Sequence, residues 1–130
     1  MILQIDTQDA LPIYAQLRDQ IVLGIAGGRL EQGEALPSVR RLGADLGINF
    51  HTVSKAYTAL HDEGYIVMDR RRGAVVARRT AGGADFLSKL GRNITLSAAE
   101  AVCHNMGGDE FMAFCAECYR NVNGEKGDSS

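Results

Sequence analysis

The sequence predicts a mainly α fold with one small β-hairpin (α+β), on three observations. Apolar residues recur at helical spacing in five segments. Two of those segments open on capping residues and are separated by only a few residues that include Gly47. Two β-prone runs, YIVMD and AVVAR, flank the basic, glycine-ended turn Arg70-Arg71-Arg72-Gly73.

In chain order, Met1 to Ile5 is apolar enough for a short edge strand. A helix follows from near Leu11, with Pro12 suited to its first turn and Tyr14, Leu17, Ile21 and Ile25 on one face. Gly27-Gly28 ends it, and Arg29 to Ala35 reads as a loop. Ser38 can cap a short helix whose inner face is Val39, Leu42 and Leu46, with Gly47 at its C′ position. Asn49 can cap the next, whose inner face is Val53, Ala56, Tyr57 and Leu60 and whose end is Gly64. Two short helices joined so tightly have the spacing of a helix-turn-helix, and the hairpin comes directly after it. Thr80 to Ala84 (TAGGA) is a linker. Beyond it, Leu87, Leu90, Ile94, Ala98 and Ala101 share one helical face, Gly107-Gly108 interrupts, and Phe111, Cys115, Cys118 and Val122 share another. Asn123 to Ser130 reads as a frayed end. The expected domains are therefore 1–80, the helix-turn-helix with its hairpin, and 81–130, a two-helix tail.

The chain has 130 residues, of which 45% are hydrophobic and 23% charged, and this average usage argues against disorder, collagen and a continuous coiled coil. No apolar run approaches the ~20 residues that cross a bilayer, and the N-terminus lacks a basic region followed by a cleavage site, so a soluble, cytoplasmic protein with no membrane partner is expected. Three cysteines do not suggest a disulfide framework. Net charge is −2, but between Leu36 and Thr80 eight Lys/Arg face four Asp/Glu, while from Ala81 onward four face seven. A cationic half and an acidic half point to separate tasks, the first suited to a polyanion.

The helix Asn49–Leu60 carries the functional reading. At 100° per residue, its core positions cluster on one side and leave His51, Lys55 and Thr58 opposite, with Thr52 and Ser54 on the flanks. Short or hydrogen-bonding side chains with one cation in the first two turns are what a recognition helix presents to a major groove. Ser38 and the exposed amides of the preceding helix form a natural phosphate anchor, with Arg40 and Arg41 beside them. Arg70, Arg71, Arg72 and Gly73 at the hairpin tip would track the backbone or enter the minor groove. Each part alone is ordinary solvated surface; the ordered set is more specific. The DNA-facing set expected is therefore Ser38, Arg40, Arg41, Asn49, His51, Thr52, Ser54, Lys55, Arg70, Arg71, Arg72 and Gly73.

The motifs Leu11-Pro12-Ile13-Tyr14-x-Gln16, Leu36-Pro37-Ser38-Val39-Arg40-x-Leu42, Thr52-Val53-x-Lys55-Ala56-Tyr57 and Leu60-x-x-Glu63-Gly64 resemble the winged helix-turn-helix domain of GntR-type bacterial transcription regulators. The resemblance covers residues 2 to about 79, and the short tail is similar to that of the YtrA-like subgroup. It implies a homodimer on a pseudo-palindromic operator, usually acting as a repressor. Arg40 matches the family's DNA-contacting arginine, and Asn49, Thr52 and Lys55 match the start of its recognition helix. Phe50 stands where members often carry proline or arginine. Arg71 replaces the first glycine of the common Gly-x-Gly wing tip, which implies more phosphate contact and a less close approach to the groove floor.

The tail is too short to enclose a sizeable ligand pocket, and its helices gain most by burying Leu87, Leu90, Ile94, Phe111, Cys115, Cys118 and Val122 against a second copy. A symmetric dimer would set two recognition helices about 34 Å apart. The partners expected are thus a double-stranded DNA operator and a second copy of the chain; a small-molecule effector is an open third. Two other readings stand beside this one. The same fold also serves protein–protein contact, with a weak response to salt. Cys103, His104, Cys115 and Cys118 could instead form a metal- or thiol-responsive group, although Cys115 and Cys118 share an apolar stripe where cysteine packs as a small hydrophobe. No metal or other cofactor is assigned. An enzyme is not expected, because no glycine-rich phosphate loop follows a strand and Cys115 with His104 lacks a third orienting group.

Overall fold

The computed structural model describes residues 3–127. Its helices are α1 (Ile13–Ala26), α2 (Val39–Leu46), α3 (Phe50–Asp62), α4 (Ala84–Cys103) and α5 (Gly108–Gly127), with strands β1 (Ile66–Asp69) and β2 (Gly73–Val76) between α3 and α4. The chain divides into two compact units between Arg79 and Thr80.

In the first unit, α1, α2, α3 and the hairpin enclose one core. Leu17, Ile21, Val53, Ala56, Leu60 and Ile66 are fully buried, joined by Leu42, Tyr57 and Val76. Each large aliphatic side chain among them contributes about 1.5–3 kcal/mol by leaving water. In α1 to α3 the helical spacing selects Leu17, Ile21, Leu42, Val53, Ala56, Tyr57 and Leu60 among them, while Tyr14, Val39 and Leu46 on the same stripes are half-buried against the core. α2 and α3 end alike. At α2, Gly47 has φ +70°, and the amides of Gly47 and Ile48 donate to the carbonyls of Ala44 and Gly43. At α3, Gly64 has φ +87°, and the amides of Gly64 and Tyr65 donate to His61 and Leu60. Left-handed glycines here satisfy carbonyls that would otherwise be orphaned, and they turn the chain sharply.

Three expectations for the first unit are corrected. Leu3 to Ile5 forms no strand; Met1 and Ile2 lie outside the described residues. Instead, the buried Gln16 side chain accepts from the amide of Asp6 and donates to the carbonyls of Asp6 and Leu11, and Gln20 accepts from the amide of Gln4. Side chains meet the backbone's hydrogen-bonding needs there, while Leu3 and Ile5 pack on the core. Pro12 sits at the N-cap of α1 rather than within its first turn. The segment 33–36 is not simply a loop. The amides of Gly33 and Leu36 donate to Val76 and Ala74, and Val76 donates to Glu34, so that Ala35 bridges Val75 and lies along β2. The antiparallel pair β1–β2, with Ile66 opposite Val76 and Asp69 opposite Gly73, thereby gains a third short rung.

The second unit, Thr80–Gly127, comprises α4 and α5. α4 is followed, past its C-cap His104, by Asn105, a non-glycine residue with φ +61°, and the amides of Asn105 and Met106 donate to Val102 and Ala101. Asparagine tolerates this conformation, and Ala101 and Met106 are both partly buried at the bend. The helix α5 continues through Asn123–Gly127, a stretch read from the sequence as frayed; residues 128–130 lie outside the described ones. No described residue of this unit is fully buried. Leu87 is 61% exposed, Leu90 41% and Ile94 49%, and Phe86, Met112, Phe114, Tyr119 and Val122 are exposed as well. Phe111 and Cys115 are half-buried.

Candidate nucleic-acid interface

Two caps and a three-residue turn fix where the helices α2 and α3 begin. Ser38 Oγ accepts from the amide of Arg41 at 3.1 Å, and Asn49 Oδ1 accepts from the amide of His51 at 2.8 Å. Both side chains are therefore helix caps first, each worth about 1 kcal/mol. Tyr57 reaches back from α3 and donates its hydroxyl to the carbonyl of Pro37 at 2.7 Å, which pins the entry to α2. Burial pushes that phenol well above its usual range. Gly43 permits the close crossing of the two helices. A Cβ there would lie 3.0 Å from the Ile48 carbonyl oxygen and 3.2 Å from Phe50 Cα.

The residues expected to face DNA lie at the surface. His51, Lys55, Arg40 and Arg41 are exposed, and Thr52 and Ser54 are half-buried on the flanks of α3. The cations are not loose. The Arg40 guanidinium lies over the Phe50 ring at 4.2 Å, and Lys55 Nζ lies over the Tyr14 ring at 4.2 Å. His51 packs against the same Phe50 ring, centroid to centroid 4.2 Å and tilted by 33°. Arg41 faces Asp45 at 3.9 Å, an exposed pair worth little. Arg40, Gly43, Ala44, Ile48, Asn49, Phe50 and His51 line one shallow groove between the ends of α2 and α3.

At the wing tip the three arginines differ. Asp69 Oδ1 accepts from the amides of Arg71 and Arg72 at 2.8 and 3.0 Å, closing the turn. Those amide hydrogen bonds, from Arg72 and then Arg71, hold its carboxyl below the usual range. Arg72 turns inward, with Nη1 donating to the Gly33 carbonyl at 2.9 Å and Nη2 3.5 Å from Asp69. Arg70 and Arg71 side chains have no such tether among the described residues. Arg79 is likewise drawn inward, its Nη2 donating to the Ile25 carbonyl at the end of α1 and its backbone amide to Gln32 Oε1.

The tail cysteines do not converge. Cys103 and Cys118 are exposed and Cys115 half-buried, and His104 Nδ1 engages the Glu100 carbonyl at 2.9 Å. Among the described residues no three His, Cys, Asp or Glu side chains meet as a metal-holding group. No helix among them is long and apolar enough to cross a membrane.

A capped helix, a three-residue turn, a second capped helix and an arginine-tipped hairpin define a winged helix-turn-helix domain. The chain belongs to the gntR family of bacterial regulatory proteins, whose family model matches residues 10–76. It is 40% identical over 75 residues to the HTH-type transcriptional repressor YtrA of Bacillus subtilis, covering 58% of each chain. The structure of YtrA from Sulfolobus acidocaldarius, a GntR-family transcription factor, is 40% identical, covers 76% of this chain and 99% of that one, and superposes with a TM-score of 0.66. These two relatives place the chain in the YtrA-like subgroup. The DNA-binding domain of AraR in complex with operator ORX1 is 27% identical, covers 59% of this chain and 99% of that one, and has a TM-score of 0.53. The chain spans 58% and 63% of the length of two curated relatives that it matches.

Proposed function

We propose that the chain is a sequence-specific DNA-binding transcriptional regulator of the repressor type, acting as a homodimer on an inverted-repeat operator. The observation that carries this reading is the α2–turn–α3 unit, in which Arg40, Asn49, His51 and Lys55 stand at the surface around the first turns of α3. α3 enters the major groove with those residues toward the bases, and the amides at the start of α2, beside Ser38, Arg40 and Arg41, meet phosphates. Arg70 and Arg71 extend the wing to the flanking backbone or minor groove, with Gly73 beside them. Likeness to an operator-bound AraR domain supports the same docking. The uncovered apolar residues Leu87, Leu90, Ile94, Cys118 and Val122, with the half-buried Phe111 and Cys115, support dimerisation through the tail.

Selection of bound duplexes from a random DNA library tests the reading. The selected sequences should converge on two half-sites related by a dyad and about one helical turn apart. Arg40→Ala and Lys55→Ala should each weaken binding of the selected duplex by about tenfold or more, with the melting temperature nearly unchanged. No enrichment over the starting library would refute the function.

A further inference from the structure

We infer that Phe50 is a positioning residue that holds the Arg40 guanidinium for recognition of the operator, and this rests on the DNA-binding reading above. Phe50 is the first residue of α3 and is only half-buried, so its ring is not part of the core beneath the helix. Its three neighbours define what it does. Gly43 of α2 would press a Cβ within 3.3 Å of Phe50 Cβ, so the ring is set by the tightest approach of α2 to α3. Arg40 lies one turn before Gly43, and its guanidinium carbon sits 4.2 Å from the ring centroid. His51 packs its own ring 4.2 Å from the same centroid, tilted by 33°. Guanidinium, phenyl and imidazole groups thus cluster in the lining of the shallow groove that Asn49 also lines.

The chemistry of that cluster favours presentation over packing alone. Arg40 makes no hydrogen bond or ion pair among the described residues, so its five N–H donors remain for an outside acceptor. An unsupported arginine side chain at an exposed helix position gives up much of its rotamer freedom when it binds a base or phosphate. Set over a ring, it loses part of that freedom before DNA arrives, and the attraction of the cation to the ring face does not consume its donors. A guanidinium held in this way suits bidentate pairing with two neighbouring acceptors, such as guanine O6 and N7. Phe50 itself needs no contact with DNA for this.

A double-mutant cycle on the full chain, read by fluorescence anisotropy at fixed salt with a duplex selected by the wild type, tests the assignment. Phe50→Leu should weaken binding about 3- to 10-fold and Phe50→Tyr should stay within about twofold of wild type. In an Arg40→Ala background, Phe50→Leu should add no more than about a twofold loss. In the free protein, the NMR signals of the Arg40 side chain should be shifted by the ring current in wild type and return toward ordinary values in Phe50→Leu, at an unchanged melting temperature. An undiminished loss in the Arg40→Ala background would mean that Phe50 touches DNA itself and would overturn the proposal. So would unchanged affinity of Phe50→Leu, or Arg40 signals indifferent to it. Failure of the wild type to select any duplex would instead refute the function, while the NMR comparison would still decide whether Phe50 holds Arg40.

Discussion

At the scale of single residues, the wing distinguishes arginines that look alike in sequence. Arg71 projects untethered, whereas Arg72 is bound to Gly33 and Asp69. Arg71→Ala should therefore lower DNA affinity and reduce the slope of log K against log salt by about 0.9, the share of one phosphate, without disturbing the fold. Arg72→Ala should in addition loosen the hairpin, seen as faster amide exchange at Arg71 and Gly73. Asp69 adds a pH dependence whose sign is fixed. Its carboxyl is held below the usual value in the folded chain, so the anion stabilises the turn above the unfolded pKa of about 4, and that contribution is lost as pH falls through the folded value. Protection of the Arg71 and Arg72 amides, measured against their intrinsic exchange rates, should fall on acidification below about pH 4, and Asp69→Asn should remove that dependence. None of this division was legible in the run Arg70-Arg71-Arg72. It depends on Gly33, a residue far away in sequence, whose carbonyl the chain brings to the wing.

Among the elements, what was legible is what local chemistry dictates. Ser38 and Asn49 announce helix starts because an oxygen near free amides is a short-range arrangement, and Gly47 and Gly64 announce ends because few residues take a positive φ. The helical apolar spacing of α1 to α3 likewise selected the residues that are buried. The pairing of 33–36 with β2 was missed, since Gly33-Glu34-Ala35-Leu36 has no alternating pattern and its partner lies some forty residues on. At Leu3 to Ile5 the apolar character that suits an edge strand does not say whether Gln16 or a neighbouring strand will meet the backbone nearby. Phe50 was visible only as an unusual residue at its position; its place over Arg40 required the crossing of α2 and α3. That crossing makes a prediction of its own. Gly43→Ala should destabilise the domain by about 1–3 kcal/mol in chemical denaturation, because the added methyl meets backbone atoms that cannot rotate away. It should also weaken DNA binding more than the stability loss explains, since Phe50 and Arg40 would both be displaced.

For the whole molecule, a cation-bearing first unit with a buried core is followed by a second unit with no fully buried residue among those described. That asymmetry is legible in the charge of the two halves and in the two apolar stripes of the tail, which the proposed dimer would cover. Leu90→Glu combined with Ile94→Glu should convert a dimer into monomers in sedimentation velocity, leave the melting of the first unit nearly unchanged, and reduce operator affinity by at least tenfold through loss of the second half-site. A chain that remained dimeric would relocate the interface. The most direct test of the central claim is a residue-by-residue map of amide chemical shifts as a selected duplex is titrated into the labelled protein. Changes should concentrate at 38–41, 49–55 and 70–73. A map confined to α4 and α5, or to α1, with those three segments silent, would contradict the account.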